Sequence, residues 1–284
     1  MLSSIYIASY NSAGLTNNPS IQSRLLLPAI SLCQRELVRF LRQRNRIVGA
    51  LATPIIFWLL IGLGMGHNFN AASLPDGTDY MRYFFPGAIV MILLFTAIFS
   101  TISIIEDRRE GFLQSVLIAP ISRMAIVLGK LLGGTILAFG QGLLFLLAAP
   151  LIGEPLPLSS LLAACGFIFV ISFALTGMGF CIAWRMSSSQ GFHAIMNLFL
   201  MPMWFLSGAL FPATGPLRWI MGLNPLTYGV AGLRRAIYLT SYSTSSGAGL
   251  PGLTLCVGVT LLFAGVMFIL ASLIAGGRVA ADLQ

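Results

Sequence analysis

Glu106 to Glu110 (EDRRE) are five charged residues in a row, in a 284-residue chain of which only 8% is charged. Such a run can form ion pairs and polar contacts where a chain meets water. Gly111 follows, then FLQSVLIA, Pro120, Ser122 and Arg123. Phe112/Val116 and Leu113/Leu117 pair at i, i+4, which predicts a short helix with an apolar face between a glycine turn and a proline stop. Ser122 is placed to cap the helix after it. A helix of this kind seats in a partner's groove or folds back onto its own bundle.

No other reactive side chains converge. Cys33, Cys165, Cys181 and Cys256 show no CxxC or Cys/His spacing. Cys165 and Cys181 fall in one predicted helix, about 24 Å apart at 1.5 Å per residue, so the cysteines read as small packing residues. His67 and His193 are isolated, and no metal set is expected. Ser, His and Asp assemble at no helical spacing that a membrane-embedded enzyme would need. Lys130, the one lysine, is followed by Leu131 at the start of an apolar run. It belongs to no G-x-x-x-x-G-K-[ST] phosphate loop, so the chain carries no catalytic residues for ATP hydrolysis and is not itself an enzyme.

Hydropathy supplies the elements that position these residues. The chain is 57% hydrophobic with a mean hydropathy of +0.91, against about 25% charged residues in an ordinary soluble domain. Lipid must surround most of it. Uncharged runs long enough to cross a ~30 Å core as helices place spans at 47–66, 84–105, 124–153, 158–184, 192–211 and 253–276. None alternates as a β-barrel strand would. The expected fold is an all-α membrane protein of six transmembrane helices. With the N-terminus inside, twelve Arg/Lys lie in inside segments and four outside, so both termini are expected in the cytoplasm. The net charge of +8 comes from arginines flanking the runs, which is topology signalling, and no nucleic-acid partner is expected.

Residues 1–30, rich in Ser and Asn, read as a flexible cytoplasmic tail without a cleavable signal. At 32–46, Arg35, Arg39, Arg42 and Arg46 form one helical stripe, and Cys33, Leu37, Phe40 and Leu41 another. This predicts an amphipathic helix in the membrane interface, its arginines toward lipid phosphates. The 185–190 link reads as a turn. After Phe211, a stretch too apolar for a loop is broken by Pro212, Pro216, Gly222 and Pro225 into pieces of one to three turns. Short helices re-entering from the outer side before the last span are expected, with Arg218, Arg234 and Arg235 near the outer headgroups, where charge is cheaper.

Together these features resemble the permease subunit of ABC-2 type exporters, from about residue 32 to the C-terminus (a transmembrane domain over 31–284). The carriers are the basic interfacial helix, the EDRREGFLQSVLIAPISR run at 106–123, and NPLTY, with Asn224, Pro225 and Tyr228, in the re-entrant segment. The resemblance implies that 106–123 holds the coupling helix, which would seat in a cleft of an ATPase subunit. Glu106, Arg108 and Glu110 would make polar contacts at the cytoplasmic mouth. Gly111 would allow the turn, Phe112, Leu113, Val116 and Leu117 would fill the groove, and Pro120 would end the helix. It further implies two ATPase subunits carrying ATP and Mg, a second permease subunit forming a homodimer, and an inner (plasma) membrane location. The expected function is export of a hydrophobic or amphipathic substrate (a drug, lipid or lipid-linked glycan). The alternative is an ion-coupled secondary transporter, against which counts that no Asp or Glu falls inside a central span and that the one lysine, Lys130, stands at the start of its run.

Overall fold

The computed structural model describes residues 21–65, 79–119, 121–212, 217–238 and 251–277, which form helices and no strand. Ten α-helices occur among them: α1 Ile21–Arg42, α2 Arg44–Met65, α3 Tyr80–Arg109, α4 Phe112–Ile118, α5 Arg123–Leu146, α6 Leu158–Ala183, α7 Ser189–Phe205, α8 Leu217–Leu223, α9 Pro225–Ile237 and α10 Leu253–Gly277. A 3₁₀ turn, Ala149–Ile152, extends α5. Five stretches are long and apolar enough to cross a membrane: α2, α3, Arg123–Ile152, α6 and α10.

The expected fifth span at 192–211 is instead the 17-residue α7 followed by turns. At 1.5 Å per residue it is about 26 Å long, short of a ~30 Å core. Pro202 lies within its last turn and Gly208, at φ 77°, beyond it.

α3 is the axis. Phe84, Phe85, Ile89, Leu93 and Ile105 are wholly buried, and α2, α5, α6, α7 and α9 all pack on it. Its 30 residues run about 45 Å, so the helix continues beyond an apolar core and carries Glu106–Arg109 with it. The charged run was expected to end this helix at 105. It does not, because the carboxylates meet cations on neighbouring helices.

α1 lies along α5. A Cβ at Gly129 would come within 2.7 Å of Ala29 O and of Leu32 Cβ, and one at Gly133 within 2.7 Å of Glu36 Cβ. Two glycines one turn apart thus let the backbones approach, as small residues do at membrane helix interfaces. α1 begins ten residues inside the segment expected to be a tail, with Ala29 buried. Residues 1–20 lie outside the described residues.

Candidate functional site

The charges of 106–110 divide by helical phase. At 100° per residue Glu106, Asp107 and Glu110 share one side of α3, and Arg108 and Arg109 the other. The acidic side faces α1. Arg35 grips Asp107 bidentately at 2.8 and 3.0 Å, and Arg39 reaches Asp107, Glu106 and Glu110. Arg46 pairs with Glu106. Behind them, from α5, Lys130 lies between Glu36, at 2.6 Å, and Asp107. Glu36, Asp107 and Lys130 are all at most 5% exposed.

Burying a carboxylate costs several kcal/mol unless it is paired and hydrogen-bonded, and Asp107 accepts from three cationic side chains. Burial works against the Arg39 charge, but Asp107, Glu106 and Glu110 outweigh it and raise that guanidinium above its usual range.

This arrangement corrects the reading of 32–46 as one interfacial helix, which the structure divides between α1 and α2. Arg35, Arg39 and Arg46 point at carboxylates of the same chain rather than at lipid phosphates, because fixed, partly dehydrated anions bind a guanidinium better than solvated ones. Arg42 stays exposed. Of the expected lipid-facing stripe, Phe40 is buried and Leu41 is 60% exposed. Leu27, Ile30 and Val38 join Leu41 in the exposed apolar face.

The basic side of the run faces the α6–α7 link. Arg108 donates to the carbonyls of Trp184 and Met186 (3.2 Å to the latter), and Arg109 Nε to Ser187 O at 3.0 Å. The link is the turn expected, held to the charged run by three arginine–carbonyl bonds.

Gly111 makes the bend into α4 at φ 75°, a left-handed conformation that costs other L-residues about 1–2 kcal/mol. Nothing lies within 4 Å of a Cβ there, so the requirement is conformational and not steric. The face of α4 expected to fill a partner's groove is turned inward instead. Leu113 is 3% exposed within the chain's own core and Leu117 packs against it. The Arg35 guanidinium stacks 3.6 Å from the Phe112 ring centroid. Two leucines at i, i+4 beside an apolar bundle end find their nearest dry surface there. Val116 is half-buried. Gln114, Ser115 and Ile118 face away, Ile118 at 85% exposure. Ala119 is extended (ψ 148°), the conformation favoured before a proline; Pro120 itself lies outside the described residues. Ser122 Oγ caps α5 by accepting from Ala125 N at 3.1 Å, as expected.

At the opposite end, Asn224 caps α9 by accepting from Leu226 N at 3.0 Å and donates to Met203 O at 2.6 Å. Pro225 occupies the first turn, and Tyr228 donates to Gly222 O at 2.9 Å. Arg218 is exposed, whereas Arg234 is 3% exposed, packed within the chain. It donates to Tyr83 O and Gly208 O, at 3.2 and 3.0 Å, and lies 4.1 Å from the Tyr83 ring centroid. A backbone carbonyl in the turn after α7, Gly208 O, supplies one acceptor, and Tyr83 O of α3 supplies the other.

Of the residues singled out in the sequence, 106–113 and Arg35, Arg39 and Arg46 come together; Asn224, Pro225 and Tyr228 lie at the other end. Glu36 and Asp107 were missed. Glu36 is the single acid among the arginines of α1, and that oddity was the available signal.

A multi-pass helical membrane protein with a short projecting helix at a charge-locked end is the class this geometry defines. The model of the ABC-2 type transporter family matches residues 29–238, and the chain belongs to that family. The ycf38 transport permease of Cyanophora paradoxa is 27% identical over 75% of this chain and 74% of its own. Nodulation protein J of Rhizobium leguminosarum bv. viciae is 26% identical over 80% and 85%. The multidrug ABC transporter permease YbhR of Escherichia coli K12 is 28% identical over 58% and 46%. This chain is accordingly a transport permease of the ABC-2 type family.

Proposed function

We propose that the chain is the membrane half of an ATP-driven exporter and that a separate ATPase, holding ATP and Mg, docks on α4. The proposed assembly is two permease chains with two ATPase subunits in the inner (plasma) membrane. α7 is the fifth of six spans in chain order, α8 and α9 re-enter from outside, and both termini are cytoplasmic. The cargo class is a hydrophobic or amphipathic molecule moved outward by alternating exposure at the dimer interface.

The observation carrying this reading is α4 itself. Its inner face is fixed to the core through Leu113 and its outer face presents Ile118. Arg35 joins it through Phe112 to α1 and through Asp107 to α3, so a displacement of α4 reaches both helices. An ion-coupled transporter would use an exchangeable intramembrane carboxylate; Glu36 and Asp107 already hold fixed cations, which gives that alternative no support.

The test is Ile118→Glu in the chain co-purified with its ATPase. Binding of the ATPase should weaken by about tenfold or more, equivalent to ~1.4 kcal/mol, while the melting temperature of the permease stays unchanged. Undiminished ATPase binding and export by this variant would overturn the docking assignment.

A further inference from the structure

A cavity of about 370 Å³ opens on the side of the bundle between α6, α9 and α10. That volume is in the range of small-molecule sites. It exists because small residues stand where large ones would close it: Ala163 and Gly166 on α6 and Ala236 on α9. A Cβ at Gly166 would meet nothing within 4 Å. Phe167 forms part of the wall, and Leu253 and Leu261 of α10 form a rim, at 43% and 53% exposure. The one hydroxyl in the lining, on Thr260, donates back to Cys256 O at 2.7 Å and leaves a methyl to the cavity. No polar group there would reward a polar ligand.

Geometry sets the depth. Ala163–Val170 and Leu253–Leu261 are the first halves of their helices, at the end opposite Glu106. Their seven to eight residue-to-residue steps give a trough roughly 10–12 Å long, within the ~15 Å of one leaflet. At that end Arg235 precedes the lining residue Ala236 in the last turn of α9. An apolar trough along the membrane normal with a cation at its head is complementary to an anionic headgroup carrying an acyl chain.

We infer that this trough binds one acyl chain of an anionic phospholipid of the surrounding bilayer, its phosphate held by Arg235. The lipid completes the α6–α9–α10 wall, replacing side chains that Gly166 and Ala163 do not provide. The site is separate from α4 and is independent of what the transporter carries.

The full chain, reconstituted in phosphatidylethanolamine vesicles containing a phosphatidylglycerol with a photoactivatable diazirine in one acyl chain, tests this. Peptides covering 163–170 and 253–261 should carry the label in preference to the other lipid-facing helices. Gly166→Phe fills the trough, and Ala163→Leu fills it more conservatively should the first variant misfold. Either should cut labelling about tenfold, the loss expected for expelling about two methylenes. Gly265→Phe, on open α10 surface outside the trough, should leave it unchanged. Arg235→Gln should remove the preference for phosphatidylglycerol over a phosphatidylcholine probe. Labelling spread evenly over the lipid-facing helices, labelling unaffected by both filling variants, or a trough closed by cross-links to a second copy would each overturn the inference.

Discussion

Arg35 holds Asp107 with both guanidinium nitrogens across 72 residues of sequence, and the same planar group lies on Phe112. One side chain therefore joins the helix before the first span, the end of the central helix and the start of the projecting helix. Lysine could supply the charge but neither the fork nor the stacking plane. Arg35→Lys should fold, retain membrane insertion and reduce the coupling between ATP hydrolysis and transport. A ratio of transport to hydrolysis equal to wild type would show the Arg35 geometry to be dispensable.

Removing Asp107 should be far more damaging. Asp107→Ala leaves Lys130 and Arg35 facing one another with one carboxylate fewer, and breaking a buried pair this way costs about 3–5 kcal/mol. Thermal unfolding in detergent should show a large fall. The double variant Asp107→Ala/Lys130→Met should recover part of it, because the orphaned ammonium is gone.

The bend at Gly111 separates conformation from contact. Gly111→Ala adds a methyl with open space around it, so its effect is the left-handed backbone cost of about 1–2 kcal/mol. Gly111→Asn, which tolerates that region better, should lie between alanine and wild type in melting temperature and in coupling. Identical behaviour of alanine and asparagine would mean that φ at this position is not the constraint.

Arg234 is buried on carbonyls where α9 meets α3. Arg234→Met keeps the apolar stem and removes the charged donor from Tyr83 O and from Gly208 O, the latter still accepting from the Tyr83 hydroxyl at 2.9 Å, a loss of about 1.5–3 kcal/mol for each hydrogen bond to a charged group. Arg235→Gln, half-buried beside it, should cost much less. Equal losses in a melting experiment would contradict the burial difference.

Glu154 predicts a pH dependence at the end opposite Glu106. Its carboxyl is pushed above its usual value by burial, only partly offset by Arg82 at 3.2 Å. A raised folded pKa means the folded state favours the proton. The resulting stabilisation is complete below the ordinary carboxylate range near 4.5 and is lost as pH rises through the elevated value. Glu154→Gln should flatten that part of the melting-temperature profile. A wild-type profile that instead gains stability across this window would reverse the assignment.

The proposed orientation has its own measurement. Ser115→Cys, in a background with the four native cysteines replaced, should react with a membrane-impermeant maleimide in inside-out vesicles and not in intact cells. Labelling from outside would invert the orientation.

The apolar runs alone determined that this protein is helical and lives in lipid, since too few charges exist to cover a water-facing surface. The 3.6-residue period and the glycine, serine and proline positions also located α4, the Ser122 cap and the broken segment around Asn224. Those are local properties, legible from neighbours in sequence.

Which way each polar face turns was decided only by the fold. Arg35 reads as a lipid anchor until Asp107, 72 residues away, is beside it, and Leu113 reads as a groove-filler until the chain's own core is nearer than any partner's. Charge and apolar surface choose the closest complementary site in space, and the distance to that site is a tertiary quantity. The same holds for Gly166: a missing side chain becomes a cavity only when α9 and α10 stand opposite it.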